Sequence, residues 1–374
     1  MFSITGILYI IIIITTTICA KLSQHNVKGL ILFRWKWLFV AFLIHWFFCA
    51  FTNIGIDYER YHYIISFDCQ RRLSNGEEIG FNGLSYLLYR IFKNADFCIF
   101  LYKTISLIIF YYGFYLLRRS ALLWMVFLAF NVHTYFAGYY IIAMQLSISL
   151  IFLSAIQMVI YNKRVMPFIL AVTATTIHTS AIMMVLCYLV IFALNIKNKK
   201  MGYVFLFIML VVLFITLSYA KTMFSYALSN YEFFSDYEQY EESNQSGGSG
   251  YFNYILYIIF LLYVIPLLKC NLPSYVINSI MVFYGFSFLF SIMGYLFGIA
   301  RLNSYNVVFL EVAIPFIFYQ EEIAKVKISS PFDMNAKKAI WMFYLIFLGT
   351  TSLKKYVSSD SVNMMNEWLF YSPF

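Results

Sequence analysis

Two carboxylates, one histidine and a set of arginines are the residues of this chain that could move protons and hold a charged leaving group. Asp57 and Glu78 stand in one polar stretch, DYERYHYIISFDCQRRLSNGEEIGF, with Arg60, Arg71 and Arg72 between them. His178 sits in the apolar run VTATTIHTSAIMM, and Arg301 follows the apolar run Met293–Ala300. A carboxylate or a neutral imidazole can take a proton from a hydroxyl. A guanidinium is never neutral and grips a diphosphate or a carboxylate through two parallel bonds. Plainer readings stand beside these. Arg71 and Arg72 could be surface arginines paired with Asp57, Glu59, Glu77 or Glu78, and either of Asp57 and Glu78 could be a solvated loop acid. His178 could be satisfied by a backbone carbonyl.

The elements that must position these groups follow from composition. Of 374 residues, 62% are hydrophobic and 11% charged, and the mean hydropathy is +0.77. A soluble domain needs far less apolar surface, whereas a bilayer demands it. The net charge of +9 does not indicate nucleic acid, because the basic residues lie in short clusters between apolar spans. That placement is the positive-inside pattern. The 33 Tyr and 41 Phe suit interfacial and lipid-facing area. Six cysteines form no disulfide framework; Cys19, Cys49, Cys98 and Cys187 fall in or beside apolar spans and Cys69 in a polar loop. Residues 2–20 carry no preceding positive charge, and Lys21 follows them. An uncleaved first helix with its N-terminus outside is expected.

Spans are expected near 2–20, 37–55, 96–117, 121–137, 139–160, 165–177, 180–196, 201–219, 251–268, 275–299, 302–319 and 339–353. Helix is the only open-ended structure that satisfies its own backbone in lipid. The inner loops then hold Lys21, Lys28, Arg34, Lys36, Arg118, Arg119, Lys163, Arg164, Lys197, Lys199, Lys200, Lys269, Lys325, Lys327, Lys337 and Lys338. The sequence predicts an all-α polytopic membrane protein of about ten to twelve transmembrane or re-entrant helices. It would be a single membrane domain, 1–374, with outer loops at 56–95 and 220–250. The first outer loop ends in an amphipathic stretch, Phe81 to Phe92, too short to span and suited to the interface. The second is acidic, with a flexible NQSGGSG tip that could serve as a lid.

Between Arg164 and Lys197 the apolar run is too long for one span and short for two. Both flanks are basic, so the chain must enter and return, turning near Ile177-His178-Thr179-Ser180. Non-helical backbone at that depth belongs beside a protein-lined or watered cavity. Lys103 and Glu311 are charges inside spans and could pair with one another. No HExxH, paired-Cys spacing or Gly-rich phosphate loop is present, so neither a metal nor a cofactor is expected.

Four segments together carry a resemblance. Asp57, Tyr58 and Tyr61 match a D-Y-x-x-Y motif; Glu78-Ile79-Gly80-Phe81, before Leu84, Leu87 and Leu88, matches E-P-G-F with Ile for Pro. KRVMPFILAVTATTIHTSAIMMVL matches a basic turn, an apolar leg and H-x-S-A at His178, Ser180 and Ala181; Arg301 and Tyr305, then Pro315, match a late R-x-x-x-Y…P segment. In this order they resemble the EpsG-like exopolysaccharide polymerases, over roughly Ile54 to Pro315. One departure is Met144-Gln145, where that family often has Arg-Gln.

The resemblance implies a metal-independent glycosyltransferase of GT-C-like architecture, akin to the Wzy-type O-antigen polymerases, in a bacterial inner membrane and acting on its periplasmic face. Its substrates would be undecaprenyl-diphosphate-linked glycans among membrane lipids. A flippase and a chain-length regulator would be partners, and nucleic acid would not. The expected catalytic set is Arg301, His178, Asp57 and Glu78. The expected substrate-binding set is Arg60, Arg71, Arg72, Tyr58, Tyr61, Gln145 and Tyr305. A polysaccharide flippase or transporter, or a membrane sugar O-acyltransferase, are the alternative readings.

Overall fold

The computed structural model describes residues 4–27, 30–51, 57–135, 141–195, 272–297, 303–322 and 335–343. The expected spans at 201–219 and 251–268, the acidic 220–250 loop, most of the span at 339–353 and Arg301 lie outside these residues. The described chain is mostly helical. It forms two compact units: Met1–Ile182 with Val308–Lys327 and Pro331–Phe374, and Met183–Val307 with Ile328–Ser330.

In the first unit, α1 (Ile4–Ser23) leads into an antiparallel pair of short strands, β1 (Gln24–Val27) and β2 (Leu30–Phe33), and then α2 (Trp35–Ala50). This hairpin departs from the all-α expectation. Four-residue strands are too short to show alternation in a sequence flanked by apolar helices. Gln24 anchors the hairpin: its Nε2 donates to the Arg118 and Ala121 carbonyls at 2.9 and 2.8 Å, and its Oε1 accepts from the Leu123 amide at 2.7 Å. One carboxamide thus satisfies three backbone groups that the turn between two helices would otherwise leave without partners.

The polar stretch is helical too, in three pieces. These are α3 (Tyr58–Tyr63), a π-turn at Ile64–Asp68 and α4 (Cys69–Ser74), followed by α5 (Ile79–Phe92). Lys93 adopts positive φ, and the Asn94 side chain then accepts from the Phe97 amide at 3.0 Å, capping α6 (Ala95–Leu117). After α7 (Leu123–Phe130) and a π-turn at Asn131–Tyr135 come α8 (Ile142–Val159) and α9 (Val165–Ile177). In this unit α1 packs on α2 and α7, α2 on α6, and α8 lies against both α6 and α9.

Among the described residues, α6 and α8 are long and apolar enough to cross a membrane, and shorter apolar helices accompany them. The α6–α8 contact is close because Gly113 carries no side chain there. An added Cβ would stand 2.6 Å from a Phe152 ring carbon and 2.9 Å from the Ile156 side chain. Phe152 in turn packs against Phe110 and Phe114, with ring centroids 5.3 and 5.2 Å away. Small polar side chains tie α8 to α9. Ser147 donates to the Ala174 carbonyl at 3.0 Å and Ser154 to the Pro167 carbonyl at 2.9 Å.

Helix α9 stops at Ile177, His178 is extended (φ −146, ψ 118), and a single 3-10 turn, Thr179–Ala181, leads into α10 (Ile182–Leu194). The break falls where the sequence places it. Each 13-residue helix is about 20 Å long, short of the roughly 30 Å hydrocarbon core. The second unit holds α10, α11 (Ser274–Phe297) and the first residues of α12 (Asn303–Glu322). Within it Tyr188 packs edge-on against Phe283, and Asn278 donates to Asn195 at 3.2 Å.

Replacing Gly113 by Ala should destabilise the protein by about 1–3 kcal/mol through overpacking. Thermal unfolding in detergent would register this as a lowered midpoint; an unchanged midpoint would mean that α6 and α8 do not meet this closely.

Candidate functional site

The site begins with the end of α4. Gly76 (φ +77) turns the chain, and Glu78 follows at φ 37, ψ 55, a left-handed conformation rare for a residue with a Cβ. Such strain persists only where surrounding contacts impose it, and it concentrates at functional positions. The contacts are visible here. Asn82 donates its side-chain N–H to the Glu77 carbonyl at 2.6 Å and its backbone N–H to the Glu78 carbonyl at 2.9 Å.

Two residues on, Gly80 lies directly on the last turn of α9. A Cβ at Gly80 would be 2.5 Å from Thr176 Oγ1 and 3.0 Å from the Thr176 carbonyl carbon and oxygen. This contact explains the glycine in Glu78-Ile79-Gly80-Phe81. It lets the start of α5 reach the end of α9, where His178 waits. Phe81, 1% exposed, anchors the same turn in a core with Tyr61 and Tyr102, at ring distances of 5.5 and 5.0 Å.

The result is a hydrogen bond between His178 Nδ1 and Glu78 Oε1, joining residues 100 positions apart. Both side chains are largely buried, at 9% and 15% exposure. Ser180 Oγ lies 3.3 Å from His178 Nε2. A carboxylate bonded to one ring nitrogen fixes the imidazole's tautomer and orientation, leaving the other nitrogen to accept a proton. The sequence offers His178 and Glu78 as separate candidates; the structure makes them a pair.

Tyr61 adjoins the pair. Burial first, and then the charges of Glu78 and Asp57, push its phenol well above its usual range. Asp57 therefore acts on the same neighbourhood, from the position just before α3. Tyr58 and Tyr61 are 6% and 8% exposed, so their rings belong to the core. Tyr58 donates to Asp96 at 2.5 Å, and the Lys103 ammonium stands 5.7 Å from its ring centre. Glu311 accepts from Thr134 at 2.8 Å. Gln145, at 4% exposure on α8, meets no hydrogen-bond partner for its carboxamide among the described residues. Its neighbours Ile142, Ala143 and Leu146 belong to the core cluster that contains Tyr61, Phe81 and Ile177.

The arginines divide. Arg71 donates to Asp68 from Nε at 2.6 Å and from Nη2 at 3.2 Å, and Arg72 Nε donates to Asp68 at 3.1 Å. The bond from Arg71 is the main cause holding the Asp68 carboxyl below the usual carboxylate range, against the opposing effect of burial. Asp68 and Asp96 are the residues sequence reasoning missed. The spacing of Asp68 to Arg71 and Arg72, i to i+3 and i+4 within a helical run, was the available signal. Arg60 is exposed on α3. Tyr305 is fully buried near the start of α12 in the second unit. Among the described residues, no three His, Cys, Asp or Glu side chains gather as metal ligands would.

The family model of EpsG matches residues 35–372, nearly the whole chain. The chain belongs to the EpsG family. EpsG proteins are Wzy-like polymerases, and the apolar helices with this membership mark a membrane protein. No curated protein and no solved structure matches it. The EpsG match takes in Asp57, Glu78, Gly80, Phe81, Gln145, His178 and Ser180, and leaves out α1 and the hairpin.

Gly80→Ala should part α5 from α9 and lower stability by about 1–3 kcal/mol. Gly83→Ala is the control, since a Cβ there meets nothing nearer than Leu73 at 3.7 Å. Equal unfolding midpoints for the two variants would contradict the close approach at Thr176.

Proposed function

We propose that this protein joins undecaprenyl-diphosphate-linked oligosaccharide repeat units, of the O-antigen or capsule type, on the outer face of a bacterial inner membrane. The Glu78–His178 pair is the observation that carries this reading. It supplies an oriented base, His178, held by a carboxylate on the polar segment that the positive-inside pattern leads us to expect outside.

The chemistry balances without a further reagent. His178 Nδ1–H donates to Glu78, and Nε2 takes the proton of the acceptor sugar's hydroxyl. The acceptor oxygen bonds to the anomeric carbon of the donor glycan. The bond from that carbon to the lipid diphosphate breaks, and its electron pair leaves on the diphosphate. Glu78 stabilises the imidazolium until the proton passes to solvent. Fixed guanidinium groups offset the charge that grows on the diphosphate. Arg301 is assigned this role first, with Arg60 as an alternate on the same polar segment as Glu78. Asp57 is the second carboxylate, and Gln145 is assigned to hold a substrate hydroxyl through its buried carboxamide.

A deletion strain complemented with wild type, His178→Ala or Glu78→Gln tests the reading on a gel of surface polysaccharide. At equal protein level, wild type should restore the ladder, and His178→Ala should leave lipid core plus one repeat. A full ladder from His178→Ala would remove this site from the reaction. Loss of even the single repeat in the deletion strain would point to transport instead.

A further inference from the structure

We propose that Arg72 is a positioning residue: through Asp68 and Glu77 it fixes the turn that presents Glu78 to His178. This inference rests on the reading of Glu78 and His178 as the reaction centre. It moves Arg72 from the substrate-binding set expected from sequence to the support of a catalytic carboxylate.

Arg72 stands between two acids. Its Nε lies 3.1 Å from Asp68 Oδ2 and 3.6 Å from Glu77 Oε2. All three side chains are mostly covered, at 18%, 12% and 20% exposure, which strengthens their attraction relative to water-exposed pairs. Asp68 closes the π-turn before α4, and Glu77 immediately precedes Glu78. The guanidinium therefore links the start of α4 to the far side of its own exit turn. Backbone bonds complete the link: the Asn75 amide donates to the Arg71 carbonyl at 3.0 Å and the Glu77 amide to the Arg72 carbonyl at 2.9 Å. Arg71 adds a bidentate grip on Asp68 from a more exposed position, at 65%.

The turn needs this support because Glu78 holds a left-handed backbone at φ 37. A carboxylate displaced by about an ångström loses its bond to the imidazole, and misplacements of that size cost catalysis on the order of a hundredfold. Gly80 anchors the turn on the α9 side, and Arg72 anchors it on the α4 side.

The test is a rate cycle with the full-length protein in membrane vesicles, using a lipid-diphosphate-linked repeat unit as both donor and acceptor. Glu78→Gln is measured first; a wild-type rate there would defeat the reaction-centre reading itself. Given that loss, Arg72→Ala should lower kcat about tenfold or more, leave the donor KM nearly unchanged, and have less than about a twofold effect in the Glu78→Gln background. Asp68→Asn preserves shape and should lower kcat in the same non-additive way. The inference is overturned if Asp68→Asn leaves or raises the rate, if Arg72→Ala acts mainly on the donor KM, or if its effect persists undiminished without the Glu78 carboxylate. Those last results would return Arg72 to the diphosphate.

Discussion

One hydrogen bond, from His178 to Glu78, organises everything around it. It joins the end of α9 to the start of α5 across 100 residues of sequence. A carboxylate and an imidazole taken out of water are costly unless each satisfies the other. The surrounding structure is arranged to keep them together. Gly80 lets backbone meet backbone at Thr176, Phe81 buries its ring beside Tyr61 and Tyr102, and Asn82 holds the carbonyls of Glu77 and Glu78. The strained backbone of Glu78 is the local consequence of that arrangement.

The larger scaffold serves the same end. Helix α9 is fixed along α8 by Ser147 and Ser154, and α8 is fixed along α6 by the gap at Gly113. The termination of α9 at Ile177 is therefore held by two helices that are themselves long and apolar enough to cross a membrane. A break in helical backbone needs such support, because lipid offers no partner for free amides and carbonyls. Here the His178 amide bonds to Ala174 and its carbonyl to Ala181, so the break carries its own hydrogen bonds.

Much of this was legible in the sequence, for physical reasons. Basic flanks at Arg164 and Lys197 around a run of awkward length locate the break at His178. Long apolar runs locate α6 and α8. The pairing of Glu78 with His178 was not legible, because no periodicity relates residues so far apart; it depends on the α5–α9 contact that Gly80 permits. The Asp68 clamp is a local i+3, i+4 pattern, readable only once the polar stretch is taken as helix rather than loop. The burial of Tyr58 and Tyr61 was not legible, because a polar stretch taken as an outer loop offers no helical face that would turn their rings to the core. The β1–β2 hairpin escaped notice because its strands are short, and Gln24, which anchors it, is an ordinary polar residue in sequence.

The most direct measurement of the central claim is the rate of glycosyl transfer between two lipid-linked repeat units by the purified protein in vesicles, for wild type and His178→Ala. Donor binding is measured alongside by retention on the same vesicles. Loss of an oriented base should slow transfer by about 10²- to 10⁴-fold while donor binding persists. Transfer by His178→Ala within about threefold of wild type would contradict the account and leave the Glu78–His178 bond a feature of folding alone.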